Sequence, residues 1–235
     1  MCETCGCGDP EIIPVDVRTH ILSENERRAD HNRQHFVESQ VLAINLMGSP
    51  GSGKTALLEA TAASGSAGLR LVAISGDLAT ERDALRLREA GIEALSITTG
   101  SACHLDAKMV HHALHRLPWQ EADLLVVENV GNLVCPAVYD LGEALRVVAL
   151  SVTEGEDKPL KYPVMFQRAD LVLLTKCDLL PHLEFEFEAL REALERVMPE
   201  PRLISISART GEGLEAWNEW LQRSRNACRE PTRRV

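Results

Sequence analysis

The segment that decides the fold reads Gly48-Ser49-Pro50-Gly51-Ser52-Gly53-Lys54-Thr55. It matches G-x-x-x-x-G-K-[ST] in full, and it lies between an apolar run that predicts a strand and a stretch that predicts a helix. Glycines at this spacing let backbone N–H groups converge on an anion, and the helix N-terminus adds a positive end. We therefore expect all eight residues to bind nucleotide phosphates, with Lys54 on the β- and γ-phosphates and Thr55 on Mg²⁺. A glycine-rich turn with an incidental lysine is the alternative, and it does not account for the flanking pattern.

From residue 41 onward, short apolar runs alternate with helical stretches. Strands are predicted at 41–47, 69–75, 94–98, 124–127, 147–152, 171–174 and 203–207, and helices at 54–63, 81–90, 107–115, 185–197 and 214–223. This alternation indicates parallel strands covered on both faces. The sequence thus predicts an α/β protein with a doubly wound, mostly parallel sheet, the P-loop NTPase fold, with ligands at the carboxyl ends of the strands. We assign residues 41–235 to this nucleotide-binding domain, and residues 1–40 to a metal-binding tail followed by a polar helix or linker.

Composition excludes several classes of function. The 235 residues carry 35 Asp and Glu against 25 Lys and Arg, and a net charge of −10 argues against nucleic acid as a partner. No apolar run reaches the roughly 20 residues that cross a bilayer, and the N-terminus lacks the apolar segment of a signal peptide. We therefore expect a cytoplasmic protein without membrane contact. In a reducing compartment the seven cysteines are expected to be metal ligands or core residues rather than disulfides.

Two acidic residues follow predicted strands near the phosphate loop. Glu128 ends the apolar run 124–127, where P-loop NTPases hold Mg²⁺ through water. Asp77 follows the run 69–75 and is a second candidate, either for Mg²⁺ or for positioning the attacking water, although a capping or loop acid fits equally well. Gly131 is placed to offer a backbone N–H near the γ-phosphate. Since no residue offers itself as a general base, we expect slow intrinsic turnover.

Two further segments bear on the identity of the base. Thr175-Lys176-Cys177-Asp178 resembles the guanine-reading N-K-x-D, with threonine in the first place. Asp178 can accept hydrogen bonds from N1–H and N2–H of guanine, a donor pair that adenine lacks, and Lys176 can lie along the base plane. Ser207 and Ala208 begin a loop similar to the S-A-x-T-G that closes over the base in many GTPases. Asp178 alone would be only a turn acid, but the two segments in this order favour GTP over ATP.

Cysteines and histidines supply candidate metal ligands. Cys2, Cys5 and Cys7 place three thiols within six residues, and thiolates suit Zn²⁺, Cu⁺ and Ni²⁺. The pair Cys103-His104 and the single Cys135 lie in loops that leave the carboxyl ends of strands. Three ligands are too few for a closed tetrahedral site, but two copies across a two-fold axis would suffice. Taken alone, Cys103 and Cys135 are each equally compatible with a small buried hydrophobe.

Four histidines share the helical i, i+4 spacing in two pairs. His31 pairs with His35, and His111 pairs with His115. Each pair predicts two imidazoles on one helix face. For both pairs, as for His112, a solvated helix surface is the favoured interpretation.

Taken together, these segments resemble the HypB family of hydrogenase nickel-incorporation GTPases. The resemblance rests on residues 2–7, 48–55, 76–84, 103–106, 128–136, 154–163 and 175–178 and runs over nearly the whole chain. It implies a GTPase that binds GTP or GDP with Mg²⁺ and forms a homodimer with the nucleotides near the interface. It also implies nickel delivery to the [NiFe]-hydrogenase large-subunit precursor, with a nickel chaperone as a partner.

The resemblance further implies roles for individual residues. Cys2, Cys5 and Cys7 would form an N-terminal nickel site, and Cys103, His104 and Cys135 a weaker nickel or zinc site at the dimer interface. Thr55 and Asp77 would ligate Mg²⁺, and Lys158 would reach the nucleotide of the opposite subunit. Many relatives carry a long His-rich stretch that this chain lacks. Bulk nickel storage is therefore not expected.

The hypothesis that unites these features is a switch, in which GTP and Mg²⁺ order the loops holding Asp77 and residues 128–131 and hydrolysis resets the metal site. Three alternatives remain. A urease accessory GTPase would share the fold but deliver nickel to urease instead of hydrogenase. A P-loop small-molecule kinase would be stimulated by a phosphate acceptor. A metal-buffering protein would bind metal with an affinity independent of nucleotide.

Overall fold

The structure, a computed structural model, describes residues 15–65, 68–100 and 102–229, with side chains from residue 22 onward. The cysteines predicted to form the N-terminal nickel site lie outside the described residues. Within them, seven strands form one sheet in the order β3-β2-β4-β1-β5-β6-β7. The strands are β1 (Leu42–Gly48), β2 (Leu71–Asp77), β3 (Glu93–Thr98), β4 (Leu124–Glu128), β5 (Leu145–Ser151), β6 (Leu171–Thr175) and β7 (Leu203–Ile206). Every neighbouring pair is parallel, which confirms the predicted fold class.

Eight α-helices accompany the strands in the described residues. They are α1 (Val15–Glu38), α2 (Lys54–Ala63), α3 (Arg82–Glu89), α4 (Ala107–Leu114), α5 (Lys158–Lys161), α6 (Pro163–Gln167), α7 (Phe187–Val197) and α8 (Leu214–Arg229). The sequence places α2 correctly, whereas α8 continues six residues beyond its predicted end at residue 223. Helix α1 is polar overall, and it is held to the domain by a few side chains, among them the buried Ala29 and Phe36. None of the described helices combines the length and the apolar character needed to cross a bilayer.

The two faces of the sheet are covered by different helices. Alternate residues of β1 point to opposite faces, so Leu42, Ile44 and Leu46 pack with α2, α3 and α8, whereas Ala43 packs with α1 and α4. Helices α6 and α7 cover the same face as α1 and α4 over the other half of the sheet. All seven residues of β1 are buried, because this strand lies at the centre of the sheet between β4 and β5. The chain therefore leaves β1 at the point where the strand order reverses, which is where ligands bind in such sheets.

The loop that joins β7 to α8 depends on a glycine whose backbone conformation and close surroundings are unfavourable for other residues. Gly213 has φ +75°, and a Cβ there would lie 2.0 Å from the carbonyl oxygen of Ser205. Gly211 also has positive φ, but the nearest atom to its Cβ would be 3.9 Å away. We expect Gly213→Ala to lower the free energy of unfolding by about 2–4 kcal/mol, from backbone strain and steric overlap together. Gly211→Ala carries the strain alone and should cost about 1–2 kcal/mol. Urea denaturation of both variants checks the difference, and equal losses would contradict it.

Candidate functional site

The phosphate loop lies between β1 and α2 at the switch point of the sheet. The side chain of Lys54 is buried, and its Nζ donates hydrogen bonds to the carbonyl oxygens of Gly48 at 3.2 Å and Ser49 at 3.0 Å. Burial lowers the pKa of Lys54, and the charge of Glu128 acts in the opposite direction. Among the described residues, the buried Ser52 hydroxyl has no hydrogen-bond partner. The loop thus holds an ammonium and a hydroxyl that a phosphate can bind.

Beside the loop, the last residue of β4 presents a carboxylate to the first turn of α2. The Thr55 hydroxyl donates to Glu128 Oε1 at 2.6 Å, and the Glu128 side chain is only 3% exposed. Its other oxygen, Oε2, is buried without a partner in the described part of the chain. Burial raises the pKa of Glu128 to about 7, against the opposing effects of the Thr55 hydrogen bond and the Lys54 charge. A buried carboxylate oxygen without a donor is a suitable ligand for a hard cation.

A cavity of about 330 Å³ adjoins this carboxylate, and its lining includes Lys54, Thr55, Asp77, Glu128 and Gly131. Asp77 is partly exposed and accepts a hydrogen bond from the Thr80 hydroxyl at 2.6 Å, which is the main cause of its lowered pKa. Two carboxylates of different pKa therefore face the same space as the Lys54 ammonium. This donor set fits Mg²⁺ bound with phosphate oxygens, since Mg²⁺ takes one or two carboxylates together with substrate phosphates.

A second, more apolar cavity of about 510 Å³ continues from the first, and both include Gly53 and Ala56 in their lining. The residues of the two predicted base-reading segments that line it are Thr175, Lys176, Asp178, Ala208 and Arg209. A polar cavity beside the phosphate loop and an apolar cavity next to it match the two ends of a nucleotide, phosphates and base. Arg209 was not predicted as a site residue, although it lies within the Ser-Ala-Arg-Thr-Gly segment.

The residues of the base-reading segments are also bonded to one another and to the phosphate loop. The Ser207 hydroxyl donates to Asp178 Oδ1 at 2.6 Å, which leaves the other carboxylate oxygen for a ligand. The Thr175 hydroxyl donates to the carbonyl oxygen of Ser52 at 2.6 Å. Threonine in place of the expected asparagine therefore makes a direct bond to the phosphate loop. Lys176 adopts a left-handed conformation with φ 59°.

Glu154 supports the phosphate loop, although it was not predicted as a site residue. Glu154 Oε2 accepts a hydrogen bond from the Ser49 hydroxyl at 2.5 Å, and its Oε1 accepts from the backbone N–H of Ser151 at 2.9 Å. Ser151 and Glu154 form a capping box at the end of β5. The S-x-x-E spacing is readable from sequence. Its function in holding Ser49 is not, because that contact spans 105 residues.

The structure brings Cys103, His104 and Cys135 together, although Cys103 and Cys135 are 32 residues apart. The two sulfur atoms lie 2.8 Å from each other, and the ligand atoms of all three residues lie within 4.8 Å of one another. The His104 ring stacks on Tyr139 with the centroids 3.8 Å apart. Burial, followed by the neighbouring Cys103, raises the pKa of Cys135 to about 11. Three partly buried ligand groups of this kind suit a soft or borderline metal ion.

Two asparagines connect this cluster to the nucleotide-binding loops. Asn129, which follows Glu128 directly, accepts a hydrogen bond from the backbone N–H of Leu105 at 3.1 Å. The backbone N–H of Asn132 donates to the carbonyl oxygen of Gly48 at 3.1 Å, and its side chain accepts from Val134. Leu105, which follows His104, is thus bonded to the residue after the strand-end acid. Val134, which precedes Cys135, is bonded to Asn132, and Asn132 contacts the start of the phosphate loop.

Lys158 lies away from both nucleotide cavities. It begins α5, and its Nζ lies 5.6 Å from the centre of the Tyr162 ring. It does not line either cavity among the described residues. Its predicted contact with the nucleotide of an opposite subunit involves a second chain, so it stays a prediction.

The parallel sheet, the phosphate loop at its switch point, the buried strand-end carboxylate and the two joined cavities define a P-loop nucleotide-binding protein. Comparison with known proteins narrows this class. The sequence profile described as "CobW/HypB/UreG, nucleotide-binding domain" matches residues 42–205. The chain is 53% identical to the hydrogenase maturation factor HypB of Azotobacter vinelandii, over 89% of this chain and 69% of the relative. It is 48% identical to that of Escherichia coli K12, over 91% of this chain and 73% of the relative.

Solved structures agree with these sequences. The crystal structure of HypB from Helicobacter pylori in complex with nickel superposes with a TM-score of 0.84 at 38% identity, over 90% of this chain and all of that one. HypB from Archaeoglobus fulgidus gives a TM-score of 0.80 at 40% identity, over 87% of this chain and all of that one. The chain therefore belongs to the HypB branch of the CobW/HypB/UreG family of nucleotide-binding proteins.

The raised pKa of Glu128 makes a prediction for stability without ligand. The folded-state pKa of about 7 lies above the ordinary value of 4.5 for a glutamate, so the stability tied to the protonated form is lost as pH rises from about 4.5 to about 7. In Glu128→Gln the amide oxygen still accepts the hydrogen bond from Thr55, and the side chain at position 128 no longer titrates. As pH rises from 5 to 8, the original chain should therefore lose roughly 2–3 kcal/mol of unfolding free energy that the variant keeps. Denaturation across this range, without Mg²⁺ or nucleotide, measures this loss, and a difference independent of pH would contradict it.

Proposed function

We propose that this chain hydrolyses GTP and uses the bound nucleotide to control nickel binding at Cys103, His104 and Cys135. The observation that supports this best is the pair of asparagine connections between the metal-ligand cluster and the nucleotide loops. Asn129 lies in the sequence between Glu128 and Gly131, which we assign to the γ-phosphate, and its side chain also accepts a hydrogen bond from Leu105, the residue after His104. When a nucleotide orders these loops, the hydrogen bonds of the two asparagines would therefore change the positions of the metal ligands.

For hydrolysis, each site residue has one task. Lys54 and the backbone N–H groups of the phosphate loop bind and orient the phosphates, and Gly131 offers an N–H to the γ-phosphate. Thr55, Glu128 and Asp77 would hold Mg²⁺, which neutralises charge on the phosphates when bound. Asp77 also lies where it could position the attacking water. Because Glu128 and Asp77, which line the cavity, are assigned to Mg²⁺ and to positioning the water, the proposed mechanism relies on positioning and charge, and the turnover it supports is slow.

Guanine specificity rests on Asp178 and on the loop that holds it. Its Oδ1 is occupied by Ser207, so its Oδ2 is the oxygen left to accept from the base. Lys176 and Ala208 line the same cavity and would cover the two sides of the ring. A carboxylate at this position favours a base with adjacent N–H donors, which guanine has and adenine lacks.

Nickel is the proposed cargo, held by two thiols and an imidazole in each chain. Binding of nickel would displace the thiol protons, so the two cysteines become thiolate ligands only when the metal is bound. Three ligands leave the site open, and a homodimer would bring two such sets together across its axis. We propose that Lys158 reaches the partner's nucleotide in that dimer. In the metal-binding tail proposed to precede the polar helix within residues 1–40, Cys2, Cys5 and Cys7 would bind a second nickel ion.

The proposed client is the large-subunit precursor of a [NiFe]-hydrogenase in the cytoplasm, with a nickel chaperone as a further partner. The support is the relatives' name, hydrogenase maturation factor. A relative from Helicobacter pylori, 39% identical over 91% of this chain and 90% of its own length, is named hydrogenase/urease maturation factor. Urease is therefore the second candidate client. Nickel transfer to each apoenzyme, measured side by side, distinguishes the two.

Nickel binding in different nucleotide states tests the proposal directly. We expect Ni²⁺ affinity in the original chain to differ by at least about tenfold between the GTP-analogue and GDP forms with Mg²⁺, in line with usual coupling energies. Cys135→Ala should remove the nucleotide-sensitive site, since a soft ligand is lost from a set of three. Cys228→Ala is the matched control, because Cys228 lies on α8 outside the cluster. Identical affinity in all nucleotide states would leave a metal buffer in which nucleotide binding is incidental.

A further inference from the structure

Helices α1 and α4 bring together two histidine pairs that lie far apart in the sequence. His31 and His35 occupy consecutive turns of α1, whereas His111 lies in α4 and His115 is the C-cap residue of that helix. The predicted solvated helix surface agrees with the exposed His31 and His115, whereas His35 and His111 are partly buried where the helices pack with the two pairs facing each other. Sequence spacing shows each pair on one helix face, but it does not show that the two faces meet.

The ring nitrogens of three of these histidines are close enough to share one ion. The ligand atoms of His31, His35 and His111 all lie within 4.8 Å of one another. The Nε2 atoms of His31 and His35 are 3.1 Å apart. Two nitrogens bound to one Zn²⁺ at about 2.0–2.1 Å lie about 3.3 Å apart in tetrahedral geometry. The pair on α1 therefore already has nearly the spacing of two ligands of one metal ion.

A buried asparagine fixes which nitrogen of His111 is free. Asn32 is 0% exposed, and its Nδ2 donates to the carbonyl oxygens of Ala107 at 2.9 Å and Leu141 at 3.0 Å. Because both of these partners only accept, the amide orientation is determined, and Asn32 Oδ1 faces His111 Nδ1 at 3.1 Å. His111 Nδ1 must then carry the proton, so its Nε2 has the free lone pair. Metal-binding histidines are commonly held in this way, by a second ring N–H that donates to a fixed oxygen.

The fourth histidine stands next to this free nitrogen. His115 Nε2 lies 3.3 Å from His111 Nε2, again close to the separation of two ligands on one ion. His31 and His115 are exposed, whereas His35 and His111 are partly buried. An ion at this place would thus be reachable from solvent on one side and held by oriented rings on the other.

We propose that His31, His35 and His111 form a binding site for one divalent transition-metal ion of the kind that imidazole prefers, Ni²⁺ or Zn²⁺, with His115 in reach as a fourth ligand. The site shares no residue with the cysteine clusters and differs from them in chemistry. It has no thiolate, so it takes up a metal ion without the sulfur-to-metal absorption that a cysteine site shows. When occupied, it joins α1 to α4 and so fixes the helix that leads from the N-terminal segment into the domain.

Equilibrium dialysis of the full-length chain tests this proposal, with Ni²⁺ alone and with Zn²⁺ alone. We expect His31→Gln/His35→Gln to bind about one ion fewer per chain than the original protein, because two of three ligands are removed. The sulfur-to-nickel absorption of the cysteine sites should stay unchanged. His112→Gln is the matched control, since His112 follows His111 on α4 and is not part of the cluster. It should bind as many ions as the original chain.

His111→Gln is an independent variant on the other helix and should lose the same ion. Circular dichroism of the metal-free variants verifies that they fold. In the folded original chain each of the two metals should raise the melting temperature by an increment that both histidine variants lack. Equal ion counts in the original chain, the double variant and His111→Gln would overturn the proposal, as would an equal loss in His112→Gln. The differences in ion count and in melting temperature between the original chain and the histidine variants require neither nucleotide nor the cysteine ligands, so they test the histidine site independently of the proposed function.

Discussion

Lys54→Ala is expected to lower kcat/KM for GTP hydrolysis by about 10³-fold or more. Lys54 is the only cation lining the phosphate cavity, among the described residues, that is free of a carboxylate partner, because Arg86 is paired with Glu59 at 2.6 Å. Removing a preorganised donor from a developing charge costs about 10²–10³-fold, and a full charge on the phosphates adds to this. Phosphate release under single-turnover conditions and nucleotide affinity measured separately show how much of the loss is binding.

The stability of the same variant separates a functional loss from a structural one. Burial lowers the pKa of Lys54, so the folded chain without ligand carries this ammonium at a cost. Lys54→Ala should therefore unfold at the same denaturant concentration as the original chain, or a higher one. Lys108→Ala, an exposed lysine on α4, is the control for activity and should hydrolyse GTP normally. Activity of Lys54→Ala within tenfold of the original chain would rule out the assigned phosphate contact.

Asp178→Asn is expected to exchange guanine for xanthine as the preferred base. The Ser207 hydroxyl donates to Asp178 Oδ1, and in the variant it would hold the amide oxygen in that place and turn the amide nitrogen towards the ligand. Guanine then meets a donor where it needs an acceptor, whereas xanthine has a carbonyl oxygen at the same ring position. We expect kcat/KM for GTP to fall about 10²–10³-fold or more, and the variant to turn over XTP faster than GTP.

Turnover of GTP, XTP and ATP by the original chain, by Asp178→Asn and by Asp30→Asn tests this exchange. Asp30 is an exposed acid on α1 that pairs with Arg33, so its substitution should leave the preference for GTP intact. If Asp178→Asn lost GTP turnover without gaining XTP, the carboxylate would not read the base. If the original chain used ATP as well as GTP, and a phosphate acceptor stimulated it, the small-molecule kinase would become the better description.

Local patterns predict most of the fold, because each element here carries its own signal. The seven apolar runs become seven strands, and the phosphate loop stands where its motif predicts. The end of α8 was missed because its last turns are polar, and tertiary contacts extend it. Arg225, for example, is 2% exposed and pairs with Asp123 at 3.2 Å. Such a partner, 102 residues away, leaves no trace in the local pattern.

The candidate site divides in the same way between local and distant information. The phosphate loop and the base-reading segments are continuous in sequence and were predicted as units. Cys103 and Cys135 follow β3 and β4, which are not neighbours in the sheet, so their meeting depends on the strand order and on how the loops return. The histidines of α1 and α4 meet because two helices pack with those faces together. Periodicity identifies which residues share one face of a helix, but it does not identify the element that packs against that face.

The central position of β1 has a consequence for how the chain acquires its structure. This strand pairs on one side with β4, from Leu42 opposite Leu124, and on the other with β5, from Ile44 opposite Leu145. A chain growing from the ribosome therefore carries the finished phosphate loop sequence long before either neighbour of its supporting strand has been made. Parallel strand pairs of such high sequence separation form slowly. Until β4 and β5 pair with it, the apolar strand β1 has two unpaired edges. The nucleotide site includes Asp178 and Ala208, so it can close only after residue 208 has emerged, and binding of the nucleotide reports a completed sheet.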